Sequence, residues 1–244
     1  MQQLGIIPAR YGSTRFPGKP LIMIKGKPMI MRTWEQASKA LDNVVVATDD
    51  ERILKAVEEF GGLAMMTSVA HKSGTDRCAE AAAEITASTG IAYDVVINIQ
   101  GDEPFIQPGQ IKLLAECFED KNIQIATLSK RIESGNDIFN PDIPKVISDK
   151  DGFAIYFSRS PVPYIREKPE NEWLEAYPFF RHIGMYAYRY DVLQEITRLE
   201  PSPLEIAESL EQNRWLENRY RIKVIETTDD TIAIDTPDDL KRIK

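Results

Sequence analysis

Cysteine is nearly missing from this chain of 244 residues, which holds only Cys78 and Cys117. Two thiols give no disulfide framework, and the alanine-rich, helix-like setting of Cys78 fits buried thiols in a reducing compartment. Long apolar runs are missing as well. No stretch approaches the roughly 20 apolar residues that span a bilayer, which predicts no membrane anchor. The opening MQQLGIIPAR has no basic n-region and no long apolar h-region, so no signal peptide and a cytoplasmic location are expected. Neither G-x-x-x-x-G-K-[ST] nor G-x-G-x-x-G occurs, which argues against a P-loop site and against a dinucleotide oxidoreductase. Positive charge is in deficit, with 30 Lys and Arg against 38 Asp and Glu and a net charge of −8. That field opposes nucleic acid, so a local basic cluster reads as a site for a small anion.

What is present is ordinary for a soluble globular protein: 43% hydrophobic and 28% charged residues. Over the first half, short apolar runs alternate with helical patterns, which predicts βαβ units and a mostly parallel central sheet. Strands are expected at 4–9, 43–50, 94–104 and 123–132, with a short one from Leu63, and helices at 28–41, 51–61, 75–88 and from Gln107. Beyond about residue 132 the pattern changes. KVISDKDGFAIYFS (145–158) reads as two strands around an Asp-Gly turn, so antiparallel elements enter. A helix over 203–218, a strand over 221–228 and a short helix over 236–243 complete the chain. The whole reads as one α/β domain, 1–244, in which about 133–218 form an antiparallel insertion.

Four constellations carry chemistry. PARYGSTRFPGKPL (8–21) follows the first strand, where an open α/β sheet binds its ligand. Gly12 and Gly18 let backbone N–H groups approach phosphate oxygens, and Arg10, Arg15 and Lys19 add charge. A rigid solvated loop would explain the glycines and prolines, but three cations shift the reading to a triphosphate site. INIQGDEP (97–104) carries Asp102 off a strand end, a hard oxygen ligand suited to Mg²⁺ or a plain turn cap. AIDTPDDL carries Asp235 just before a helix, as a second metal ligand or as an N-cap. HKSGTDR (71–77) opens a helix, where Arg77 and a Gly-Thr turn could meet a base edge or simply begin a capped helix. The last cluster is remote: Arg159 after YFS, His182 and Tyr186 in RHIGMYAY, Glu211 and Gln212 in ESLEQNR. His182 and Tyr186 alone read more readily as core, whereas a partly buried Arg159 calls for an anion.

Taken in order, IIPARYGSTRFPGKPL, VVATDD, SGTDR, NIQGDEP, YFSR, RHIGMYAYR, PSPLEIAESLEQNR and DTPDDL resemble the 3-deoxy-manno-octulosonate (Kdo) cytidylyltransferases, from residue 4 to about 242. The resemblance implies a nucleotide-diphospho-sugar transferase-like α/β fold and a homodimer to which the antiparallel insertion contributes. It implies transfer of CMP from CTP to Kdo for lipopolysaccharide synthesis. It places Arg10, Ser13, Arg15 and Lys19 at the CTP phosphates, Arg77 and Gln100 at cytosine, and Asp102 and Asp235 on Mg²⁺. Arg159, His182, Tyr186, Glu211 and Gln212 would line the Kdo pocket, with Arg159 meeting the sugar carboxylate. No protein general base stands out, so Lys19, Asp102, Asp235 and the metal would carry catalysis through positioning and charge. Two rivals remain: the same chemistry on a sialic acid or an amino analogue of Kdo, and a non-catalytic CTP-binding protein on the same fold.

Overall fold

Alternating apolar runs and amphipathic stretches become parallel strands joined by helices, as seen in a computed structural model that describes residues 1–12, 16–230, 233–234 and 236–242. The first elements are β1 (Gln3–Ala9), a small hairpin of β2 (Met23–Ile24) and β3 (Lys27–Pro28), and α1 (Met29–Ala37). There follow β4 (Val44–Thr48), α2 (Glu51–Glu59), β5 (Leu63–Met66), α3 (Gly74–Thr89), β6 (Val95–Asn98) and α4 (Pro108–Glu116). The contacts divide the chain into two compact units, and these elements fall in the first, which holds Met1–Glu116, Ala187–Thr197 and Asp230–Lys244.

Within that unit the strands run β6-β1-β4-β5, all parallel, with Gly5 of β1 opposite both Val44 and Ile97. Every residue of β4 and β6 is buried, which is why both read as continuous apolar runs rather than alternating ones. Ile6, Ile7, Val46 and Ile97 are fully inaccessible, each contributing about 1.5–3 kcal/mol of transfer free energy. The helices start where their caps are. Asp50 accepts from the Arg52 N–H at the head of α2, and Ser73 and Asp76 form a reciprocal capping box at the head of α3.

The second unit holds Cys117–Tyr186 and Arg198–Asp229. It contains β7 (Ile125–Arg131), α5 (Gly135–Phe139), β8 (Lys145–Ser148), β9 (Ala154–Ser158) and α6 (Trp173–Ala176). β10 (Phe180–Arg189) carries the chain out of it, and α7 (Tyr190–Ile196) lies back in the first unit. α8 (Pro203–Glu208), α9 (Gln212–Glu217) and β11 (Ile222–Glu226) return to the second. β11 pairs with β7 in parallel, and β8 pairs antiparallel with β9 and with β10, the antiparallel elements expected after residue 132. A hydrophobic cluster of Ile132, Ile138, Trp173 and Phe179 packs within this unit.

Two expected elements differ. The helix predicted over 203–218 is two helices, α8 and α9, broken at Ser209, which sits in the left-handed region at φ 51° and ψ 46°. That conformation costs a non-glycine residue about 1–2 kcal/mol. Side chains on both sides of the break offset it: Glu208 takes three donors from 156–159, and the Asn213 amide donates to the Phe157 carbonyl at 3.0 Å. The strand predicted over 94–104 stops at Asn98. A Cβ on Gly101 would lie 2.9 Å from the Pro8 carbonyl oxygen, so the chain bends into a turn where only glycine fits. That turn presents Gln100 and Asp102.

Candidate active site

The first unit holds a cavity of about 260 Å³ at the C-terminal ends of β1 and β6. This is the edge at which an open parallel sheet offers its helix and loop termini to a ligand. Arg10, Lys19, Lys72, Arg77, Gln100 and Asp102 are among its lining residues. Four of these six are cations and one is a carboxylate.

Each is placed by something local. Lys19 opens a 3₁₀ turn behind Gly18, whose φ of 71° and contact with the Tyr11 ring leave no room for a side chain. The Gly18 N–H donates to the Tyr11 carbonyl at 2.9 Å and closes the base of the loop. The Tyr11 ring carries the Arg52 guanidinium 3.3 Å from its centroid, and Arg52 is ion-paired to Asp50 at 2.6 Å. Lys19 Nζ donates to Asp102 Oδ2 at 2.9 Å, both side chains being partly exposed. The Asp102 carboxylate therefore answers a cation 83 residues away. The Asp102 carbonyl accepts from the Ile234 N–H at 2.9 Å, which fixes the turn from a distant part of the chain.

Arg77, only 4% exposed, is held by Asp49: its Nη2 donates to Asp49 Oδ2 at 2.7 Å, and its Nη1 donates to the Thr67 hydroxyl. The capped-helix reading of SGTDR holds, and Ser73 and Gly74 at the start of α3 also line the cavity. Beside them His71 pairs with Glu80, which also accepts from the Ser68 N–H at 2.8 Å. These contacts hold the Glu80 carboxyl below its ordinary range against the desolvation that would raise it. Sequence reading missed Asp49, His71 and Glu80. Only the pair of acidic residues ending VVATDD hinted at the first.

Ser13, Arg15 and Asp235 lie outside the described residues. The turn that Asp235 would cap is closed by its neighbours, with both Thr236 N–H and Thr236 hydroxyl donating to Asp239 Oδ2 at 2.9 Å. Among the described residues no group of three or more His, Cys, Asp or Glu could hold a metal ion by itself. The donor set nonetheless fits Mg²⁺, which binds through one or two carboxylates and takes its other ligands from water and phosphate.

The remaining candidates lie in the second unit. The His182 ring nitrogen is 3.0 Å from the Thr127 hydroxyl, and the ring meets Phe157 edge-on at 5.0 Å. Burial pushes this imidazole down to about 3, so it is neutral across the physiological range. Tyr186 lies 5.3 Å from the His182 ring and 5.1 Å from Trp215, centroid to centroid. Burial, with Glu211 adding repulsion, pushes its phenol well above the ordinary value. Gln212 is 5% exposed, and its amide nitrogen is buried with no hydrogen-bond partner among the described residues. An orphan of this kind costs about 1–3 kcal/mol until something accepts from it. Arg159 is anchored by carbonyls. Its Nε and Nη1 donate to the carbonyls of Glu208 and Pro141 at 2.7 and 2.9 Å, and Nη2 reaches the Ser209 carbonyl at 3.5 Å. Its guanidinium is held by backbone dipoles, and the nearby carboxylate of Glu208 takes its backbone N–H instead.

Residues 4–223 match the family described as Cytidylyltransferase. The chain is 58% identical to the 3-deoxy-manno-octulosonate cytidylyltransferase of Parabacteroides distasonis, covering 99% of this chain and 96% of that one. It is 55% identical to the enzyme of the same name from Bacteroides thetaiotaomicron, again over 99% and 96%. A solved structure of CMP:2-keto-3-deoxy-manno-octonic acid synthetase complexed with CTP superposes with a TM-score of 0.90 at 41% identity, covering 100% of this chain and 97% of that one.

Proposed function

From the premise that this chain belongs to the 3-deoxy-manno-octulosonate cytidylyltransferase family, we propose that it transfers CMP from CTP to the anomeric hydroxyl of Kdo, for lipopolysaccharide inner-core synthesis. The observation that carries this reading is the cavity at the ends of β1 and β6, lined by Arg10, Lys19, Lys72 and the Asp102 carboxylate, the last paired with Lys19. Such a surface suits a polyanion delivered with a divalent cation.

The anomeric hydroxyl oxygen attacks the α-phosphorus of CTP in line. The bond from that phosphorus to the bridging oxygen breaks, pyrophosphate leaves with the electron pair, and the hydroxyl proton passes to water. Arg10, Ser13, Arg15 and Lys19 hold the phosphates, and Lys19 and Arg15 stabilise the charge that builds on the leaving pyrophosphate. Arg77, fixed by Asp49, and Gln100 meet the cytosine. Asp102 and Asp235 would hold Mg²⁺. When bound, the metal supplies charge neutralisation on the triphosphate and a lowered pKa for the attacking hydroxyl. Lys19, now paired with Asp102, would serve both that carboxylate and the phosphates.

Arg159 receives the Kdo carboxylate on the two N–H donors it does not spend on carbonyls. The buried Gln212 amide nitrogen offers a donor to a sugar oxygen, and neutral His182, Tyr186 and Glu211 complete the pocket. Burial holds His182 down to about 3, which makes it a poor base at neutral pH, so positioning and electrostatics carry the acceleration. A homodimer in the cytoplasm belongs to the same proposal. No helix among the described residues is long and apolar enough to cross a membrane.

Purified protein mixed with CTP, Mg²⁺ and Kdo is expected to release pyrophosphate only when all three are present. Release with a sialic acid or an amino-Kdo but not with Kdo would overturn the substrate. Silence with every acid sugar, while CTP still binds, would overturn the enzyme.

A further inference from the structure

Arg159 is gripped at both ends of its own backbone. Its N–H donates to Glu208 Oε2 at 2.9 Å, and its carbonyl accepts from Lys145 Nζ at 2.6 Å. Lys145 is completely inaccessible, and its second recorded bond goes to another carbonyl, that of Asn140 at 2.9 Å. The other Glu208 oxygen accepts from the Tyr156 hydroxyl at 2.9 Å and the Ser158 hydroxyl at 2.7 Å. Desolvation pushes the Lys145 ammonium down, while nearby Glu208 partly restores it and Arg159 opposes it. Glu208 thus grips Arg159 through its peptide N–H, while both cationic heads rest on backbone carbonyls.

Such an arrangement is costly for mere stability. A buried ammonium bonded to carbonyls alone pays desolvation that an apolar residue of the same volume would avoid. What it yields is direction: the peptide, the Nε and both Nη atoms of Arg159 are all fixed, so little freedom is lost when a ligand docks. We propose that Glu208 and Lys145 are positioning residues, which aim the Arg159 guanidinium at the carboxylate of the acid-sugar substrate. This rests on the cytidylyl-transfer reading above.

The test is steady-state kinetics on the full chain for wild type, Glu208→Gln, Arg159→Ala and the double variant, with a thermal melt of each. Glu208→Gln keeps the shape but turns one acceptor oxygen into a donor. The KM for Kdo is expected to rise about tenfold, while kcat and the KM for CTP stay within about twofold. In the Arg159→Ala background the same change is expected to add nothing, because the group it positions is gone. A Kdo KM that does not move, or that moves equally in both backgrounds, overturns the proposal. If Glu208→Gln melts within the assay range, Tyr156→Phe removes a single hydroxyl donor. It is then expected to raise the Kdo KM about twofold to threefold with the same non-additivity, and an unchanged KM is decisive against the idea. Lys145→Met is expected to repeat the Glu208→Gln pattern, and a native Kdo KM removes Lys145 from the assignment. Failure of wild type to release pyrophosphate with Kdo would instead sink the reading of the reaction itself.

Discussion

The cavity of the first unit and the polar cluster of the second hold their charged groups by different means. In the first, partners are side chains: Lys19 with Asp102 and Arg77 with Asp49 as ions of opposite sign, and His71 with Glu80. In the second, Arg159 and Lys145 lean on backbone carbonyls, and the rings of His182 and Tyr186 are desolvated. A side-chain ion pair can be exchanged for a ligand at modest cost when it is partly exposed, as Lys19 and Asp102 are. Backbone dipoles cannot be exchanged without moving the chain. The first arrangement suits a ligand that brings its own metal and charge. The second suits a small sugar acid that must be met by a surface already in place.

The sharpest way to break this comparison is Asp102→Asn. It is expected to lower kcat about a thousandfold while the melting temperature shifts by about 2 °C or less, since an exchangeable pair contributes little to folding. Retained turnover would remove Asp102 from catalysis. Asp49→Asn should behave otherwise, because its partner Arg77 is buried. Loss of stability by about 3 kcal/mol, with the KM for CTP raised about tenfold, is expected from denaturant unfolding and kinetics. An unmoved CTP KM would leave Arg77 purely structural.

The second unit is tested through His182. Its folded pKa of about 3 lies below the unfolded value of about 6.5, so the unfolded chain binds the extra proton between these values. The stability this residue contributes is full above pH 6.5 and falls as the pH drops toward 3. Titration followed by NMR is expected to show one histidine, His182, that keeps its neutral shifts down to about pH 4. A midpoint near 6.5 would show that its setting is wet and displaceable after all. The smallest effect expected is from Ser209→Gly, which relieves the left-handed strain between α8 and α9 and should stabilise by about 0.5–1 kcal/mol. A destabilised variant would mean that the break is not where the cost lies.

Much of this was legible in the sequence because it is local. The buried strands, the capped helix start at Ser73, the Asp-Gly hairpin and the cationic loop each declare themselves within about ten residues. What escaped depends on distant partners. Asp49 and Arg77 are 28 positions apart, and Arg159 and Glu208 are 49 apart. The pattern in PLEIAESLEQNRWLEN is helical throughout, and only bonds to β9 show why the helix breaks. Arg159 did call for compensation, but carbonyl dipoles supplied much of it, and no sequence motif encodes those.

The first unit is assembled from three separate stretches of chain, and this has a consequence for its birth on the ribosome. Its early strands leave the exit tunnel long before Tyr190, whose N–H bonds the Asp94 carbonyl, or Gln194, whose amide bonds the Ala79 carbonyl. Ile234, which holds the Asp102 carbonyl, is made later still. At roughly 10 residues per second, more than ten seconds separate Asp102 from its tether. The nascent cavity must wait, half-framed, for almost the last stretch of this sequence to be translated.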